Sequence, residues 1–135
     1  MWTQNWLDDY PWEMVVRLNE ALCRNKSVLH KPSSDGHDAA RQLWESGRGR
    51  PLALERALMV AYECYALAPF CFFNGNTFVA VTRLAIEGVL ARLVAIDPDL
   101  AASFRSVTGH FVAGTEGMEE LRDALSAVEK RLAAS

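Results

Sequence analysis

Proline placement constrains this chain more than any other feature of its sequence. Proline lacks a backbone N–H and clashes with the preceding helical turn, so no regular helix runs through Pro51, Pro69 or Pro98. Between the first two lies PLALERALMVAYECYAL, apolar on most of its helical circumference, which predicts a buried central helix opening at Pro51 and forced to end before Pro69. A second long apolar segment covers about residues 77 to 96 and stops at Asp97 and Pro98. Two central helices are therefore joined across residues 68 to 76.

The remaining elements follow from periodicity and from helix-terminating residues. Met14, Val15, Leu18 and Leu22 fall at helical spacing behind Pro11, giving a first helix that runs to about Cys23. Residues 24 to 36, RNKSVLHKPSSDG, break the pattern and read as an irregular flap or a small hairpin around Ser27, Val28 and Leu29. A short helix over residues 38 to 45 carries Ala39, Leu43 and Trp44 on one side and stops at Gly47. Another spans about residues 97 to 110. Gly114 and Thr115 then lead into an amphipathic helix over residues 116 to 132, with Met118, Leu121, Leu125, Val128 and Leu132 inward. The expectation is an all-α compact bundle of about six helices, one domain over residues 1 to 135, large enough for a single core because half its residues are hydrophobic.

Composition excludes several functions. A net charge of -3 opposes broad phosphate neutralisation, so no nucleic acid partner is expected. Cys23, Cys64 and Cys71 are odd in number and lack paired ligand spacing, which indicates neither a disulfide framework nor a zinc site. No run approaches the roughly 18 apolar residues of a membrane span, and the N-terminal segment has no signal-like order of basic then apolar residues. A cytoplasmic protein with reduced thiols and no membrane partner is the expectation.

Chemistry concentrates between the two central helices, in APFCFFNGNT at residues 68 to 77. A glycine at a helix start lets consecutive N–H groups converge, and the helix adds unpaired donors and the positive end of its dipole. Asn74, Gly75, Asn76 and Thr77 are thus candidate nucleotide- or anion-binding residues. The plainer reading of the same residues is a helix start, with asparagine capping and glycine turning.

The succession Ala68, Pro69, Phe70, Cys71, Phe72, Phe73, Asn74, Gly75, Asn76, Thr77 resembles the signature loop of the Fic/Doc (death-on-curing) family. Pro69, Phe70, Asn74, Gly75 and Thr77 match residue types common there. Ala68 takes the position of the family's histidine, Phe72 that of its acidic residue, Phe73 that of a small residue and Asn76 that of its arginine. A second register, with two extra residues after Phe70, matches Gly75, Asn76 and Thr77 instead and sets Asn74 at the acidic position and Phe78 at the arginine. The order and length of the expected elements are similar to the Doc branch along nearly the whole chain.

The resemblance implies a toxin-type domain that transfers a phosphate-containing group from a nucleotide to a protein hydroxyl, by phosphorylation or AMPylation. It implies ATP and magnesium as cofactors, an antitoxin as partner and elongation factor Tu as a candidate substrate. In such a site the histidine is the general base, the carboxylate holds the metal, and asparagine, glycine and arginine cradle the phosphates. Ala68 accepts no proton, Phe72 binds no metal and Asn76 brings no charge. Loss of the base alone removes about two to four orders of magnitude in rate, so the chain as written is expected to be catalytically impaired. The alternative is a Fic-fold pseudoenzyme acting as a protein-binding or regulatory module. Ala68 itself has two readings, a natural degenerate site or a deliberate inactivating substitution.

Phe70 and Phe72 are assigned to supporting the loop, and no metal ligand set is assigned. Arg83, two turns into the following helix, is a candidate anion partner whose default is a solvated residue. Surface roles are expected for His30, His37 and His110, an ion pair for Glu63, and core cover for Trp2, Trp6, Trp12 and Tyr10.

Overall fold

The computed structural model describes residues 2 to 135. Among them are seven helices: α1 (Trp12–Asn25), α2 (His37–Ser46), α3 (Leu54–Ala66), α4 (Asn74–Ala85), α5 (Glu87–Ile96), α6 (Pro98–Val112) and α7 (Met118–Ala133). The protein is an all-α bundle whose only sheet, among the described residues, is an antiparallel pair, β1 (Thr3–Gln4) with β2 (Leu52–Ala53). Helix α4 lies at the centre, packed against α1, α3, α5 and α6, while α2 and α7 cover α3 and α6 from outside.

The apolar periodicity explains this order. Ala57, Leu58, Val60, Ala61 and Cys64 of α3 are buried on adjacent faces, as are Thr77, Phe78, Val81 and Thr82 of α4. Trp6 and Trp12 are buried core residues, and the Trp44 indole N–H donates to the Tyr10 carbonyl at 2.7 Å. Trp12 stacks on Phe70, with ring centroids 5.8 Å apart and planes 9° from parallel. Burial, with the nearby Glu63 charge, pushes the Cys64 thiol up to about 12, so it stays a neutral core group donating to the Ala40 carbonyl.

Four boundaries differ from expectation. Pro51 does not open a helix: it precedes β2, and α3 starts at Leu54 after Ala53 has paired with Thr3. The segment from 77 to 96 is two helices, because Ile86 departs to φ -100°, ψ 8° between them, and Gly88, a weak helix former, opens the second. Pro11 is the residue before α1 rather than inside it, and in α2 Ala40, not Ala39, shares the buried face with Trp44. At Pro98 the expected break holds, with the Leu100 N–H donating to the Asp97 side chain at 3.2 Å.

The flap is not a hairpin. Residues 31 to 33 run extended and pair with the loop after α3: the Ser33 N–H donates to the Pro69 carbonyl at 2.8 Å, and the Cys71 N–H to the Lys31 carbonyl at 3.0 Å. Gly36 permits this approach. A Cβ there would lie 1.7 Å from the Leu67 carbonyl oxygen, so only glycine closes the flap against the end of α3.

Glu45 ties α2 to the first turn of α1. Its carboxylate accepts from the Trp12 N–H at 3.0 Å and from Arg48 at 2.6 Å. Burial would raise its pKa, but the Trp12 and Arg48 bonds and the Arg48 and Arg41 charges outweigh that, and the net shift is downward from 4.5. A lowered carboxylate pKa stabilises the fold above its unfolded value and loses that contribution as pH falls through the folded one. Glu45→Gln is expected to cost about 1 kcal/mol at pH 7, with the gap from the native chain closing as urea unfolding is repeated below about pH 4.5. A gap constant with pH would contradict this account.

Candidate functional site

Two non-glycine residues in left-handed conformation bracket the loop between α3 and α4: Ala68 at φ 49° and Phe73 at φ 62°. Such a conformation costs about 1 to 2 kcal/mol per residue, so surrounding bonds must hold it. The Asn74 side chain supplies two, its oxygen accepting from the Phe70 N–H at 2.9 Å and its nitrogen donating to the Phe70 carbonyl at 2.8 Å. The paired flap supplies a second set of bonds.

Asn19, fully buried on α1, supplies the third. Its nitrogen donates to the Phe72 carbonyl at 2.7 Å and to the Thr77 hydroxyl at 3.1 Å. Its oxygen accepts from His30 Nδ1–H at 2.8 Å and from the Cys23 thiol at 3.6 Å. The amide thereby uses its full bonding capacity and fixes His30 in the Nδ1–H form.

These bonds sort the candidate residues. Asn74 is a loop brace with both polar atoms occupied. Thr77 is fully buried, its hydroxyl donating to the Phe73 carbonyl at 2.7 Å. Phe70 is a core residue, whereas the Phe72 ring is 47% exposed while its carbonyl is tied to Asn19. Gly75 does not provide positive φ; that conformation falls on Ala68 and Phe73, and Gly75 sits inside the first turn of α4. Ala68 turns toward the flap, its carbonyl accepting from Ser33 Oγ at 2.7 Å.

Gly75 and Asn76 line a groove between α4 and α6 with a volume of about 610 Å³. Val79 and Arg83 continue the same face of α4 at intervals of one turn. The α6 wall carries Ala102, then Arg105 and His110 with Ser106 and Gly109 between them. Gly109 faces Val79 and Arg83, and the small residues of α6 leave the groove open between the helices. At one end the Tyr65 ring lies between Gly75 and Gly114; a Cβ at Gly114, already at φ 79°, would come within 2.9 Å of that ring.

The electrostatics of the groove are one-sided. The guanidinium groups of Arg83 and Arg105, like those of Arg17, Arg50 and Arg92, make no ion pair or hydrogen bond among the described residues, while Arg24, Arg41, Arg48, Arg56, Arg122 and Arg131 each have an acidic partner. No carboxylate lines this stretch. The N–H groups of Asn74, Gly75 and Asn76 begin α4 without a side-chain cap. The Thr115 hydroxyl donates to the His110 carbonyl at 3.1 Å and receives His110 Nδ1–H at 2.9 Å, leaving Nε2 as an acceptor. Oriented N–H groups, an amide, a hydroxyl and two guanidinium groups suit an anion. They do not suit a resident magnesium, which takes carboxylate oxygens, and among the described residues no cluster of three or more His, Cys, Asp or Glu side chains could hold a metal.

Comparison of the chain with models of known protein families, with curated proteins and with solved structures finds no match. The functional reading therefore rests on the residues themselves. Sequence reasoning brought Gly75 and Asn76 to this site and carried Arg83 as a candidate anion partner behind a default of a solvated residue. It missed Arg105, Ser106 and His110, whose spacing on α6 marks one face but whose apposition to α4 is tertiary. His37 contacts Trp12 and Phe70, outside the groove, and Glu63 pairs with Arg56 at 3.4 Å.

Asn19→Ala strands the Phe72 carbonyl and the His30 N–H at once. It is expected to cost about 2 to 4 kcal/mol in urea unfolding and to make the Cys71 thiol react faster with a disulfide reagent, because the loop is released from α1. Stability and Cys71 reactivity both unchanged would show that the amide does not hold the loop.

Proposed function

We propose that this chain is a Doc-like domain with a degenerate signature loop, which binds a phosphate-bearing ligand of the nucleotide kind in the groove between α4 and α6 and does not transfer it. The observation that carries this reading is the convergence of the Gly75 and Asn76 end of α4 with two unpaired arginines, Arg83 and Arg105, along a stretch free of carboxylates. A phosphate there gains charge-assisted bonds from fixed donors.

Transfer is a different matter. A protein hydroxyl must lose its proton as it attacks, and position 68, which is not part of the groove lining, holds an alanine that accepts none. Phe72, at the acidic position, offers no oxygen to a metal. ATP would thus be held by protein donors, with magnesium contributing only what it carries on the phosphates. Phosphorylation or AMPylation of a protein such as elongation factor Tu has no support in these residues. The three free thiols suit a reducing compartment such as the cytoplasm.

A second reading, a protein-binding or antitoxin-binding module, draws on a separate observation. Leu29 on the flap is 77% exposed and Phe72 on the loop 47% exposed, two large apolar side chains on paired segments. The two readings are compatible, since this rim and the groove use different residues.

Calorimetric titration of ATP tests the main reading. Binding is expected with magnesium and with chelator alike, weakened about tenfold or more by Arg83→Ala combined with Arg105→Ala. Ala68→His is expected to label no protein, because Phe72 still offers no metal ligand. Absence of ATP binding, or protein labelling by Ala68→His, would contradict the proposal.

A further inference from the structure

The anion groove does not end at its arginines. A second groove, of about 470 Å³, continues from it and shares Arg83, Ala102 and Arg105. Beyond that waist the lining changes character. Leu84, Leu90, Val94, Pro98 and Ala101 replace Asn76, Ser106 and His110.

Val94 is one of the few large apolar side chains left exposed, at 58%. Glu87 is the only acidic residue on this half; it makes no ion pair with Arg83, although its charge helps to raise the pKa of the Tyr10 hydroxyl. The resulting order along α6 is polar, then cationic, then apolar. From Arg105 to Pro98 the apolar half runs about 10 Å along the helix axis.

We infer that this continuous groove takes a single-chain amphiphile, with an anionic phosphate or carboxylate head at Arg83 and Arg105 and a hydrocarbon tail over the α5 and α6 half. Three features argue for this occupant. The two guanidinium groups have no partner in the protein and stand where the lining turns apolar, which is where a head group joins its tail. Apart from the Glu87 carboxylate, the tail half beyond the arginines is lined by aliphatic side chains with no donor or acceptor to match a nucleobase. Each half has the volume of a small-ligand site, apolar for the most part with a few placed polar groups.

The inference shares its arginines with the proposed phosphate site and does not require that a nucleotide bind there. Its signature is a dependence on chain length, because each methylene removed from water is worth about fourfold in affinity.

Butyl, octyl and dodecyl phosphate, each below its micelle concentration, are titrated calorimetrically into the full chain, with dodecyl maltoside and ATP in parallel. The expected result is affinity rising about a hundredfold or more from butyl to dodecyl phosphate. Val94→Glu, at an exposed position the fold tolerates, is expected to remove about tenfold of that gain while leaving butyl phosphate nearly unchanged. Arg83→Ala with Arg105→Ala weakens all the phosphates, and circular dichroism confirms that both variants are folded.

Affinity independent of chain length, dodecyl phosphate binding insensitive to Val94→Glu, or equal binding of dodecyl maltoside would each overturn the inference. ATP binding without a chain-length effect would remove this inference and leave the nucleotide reading in place. A chain-length effect without ATP binding would do the opposite.

Discussion

Asn19 joins three parts of the molecule through one side chain: the flap through His30, the loop through the Phe72 carbonyl and α4 through Thr77. Asn19 and Thr77 are fully withdrawn from water and the other partners partly so, where an unpaired carbonyl or amide is costly and a paired one is reinforced by the lower local dielectric. The amide has four bonding positions and four partners, so removing it releases strain as well as bonds. The left-handed residues Ala68 and Phe73 keep their conformation only while the loop between them is held. Phe73 directs the start of α4, and α4 forms one wall of the groove.

That chain of dependence separates what supports the groove from what faces a ligand. Asn74 and Thr77 have the residue types of a binding loop and are consumed inside it. Gly75 and Asn76, one and two residues further than Asn74, escape into the groove because α4 has begun there. The asymmetry separates a loop whose polar side chains are spent on holding it closed from a helix start whose next residues face the groove. Binding needs donors and positive charge, which α4 and α6 supply from opposite sides. Phosphoryl transfer needs in addition a carboxylate to hold a metal beside the same atoms, and none is in the groove lining.

Much of the fold was legible because its determinants are local. The stop before Pro69, the 3.6-residue period of α3 and α7 and the break at Asp97 and Pro98 act within a few residues, and each appears where the sequence puts it. The misreadings share a tertiary cause. Pro51 looked like a helix start, but pairing of Ala53 with Thr3 claims the chain for a strand first. The unbroken apolar pattern from 77 to 96 hid a change of direction at Ile86, because a buried residue keeps the pattern on both sides of a kink. Positive φ fell on Ala68 and Phe73 rather than Gly75, since the flap and Asn19 impose it from outside. Half of the candidate site was legible for the same reason: Gly75, Asn76 and Arg83 lie on the helix after the loop, whereas Arg105 and His110 arrive from α6, and no local signal pairs two helix faces.

The account stands on the claim that a braced loop delivers the start of α4 to an anion. The most direct measurement is a pyrophosphate titration followed by backbone amide resonances. The account predicts that the N–H signals of Gly75 and Asn76 shift together with those of Gly109 and Ala113 across the groove, with one common dissociation constant, while Ala68 and Cys71 on the flap side stay in place. Shifts confined to residues 68 to 73, or absent from Gly75 and Asn76, would contradict it.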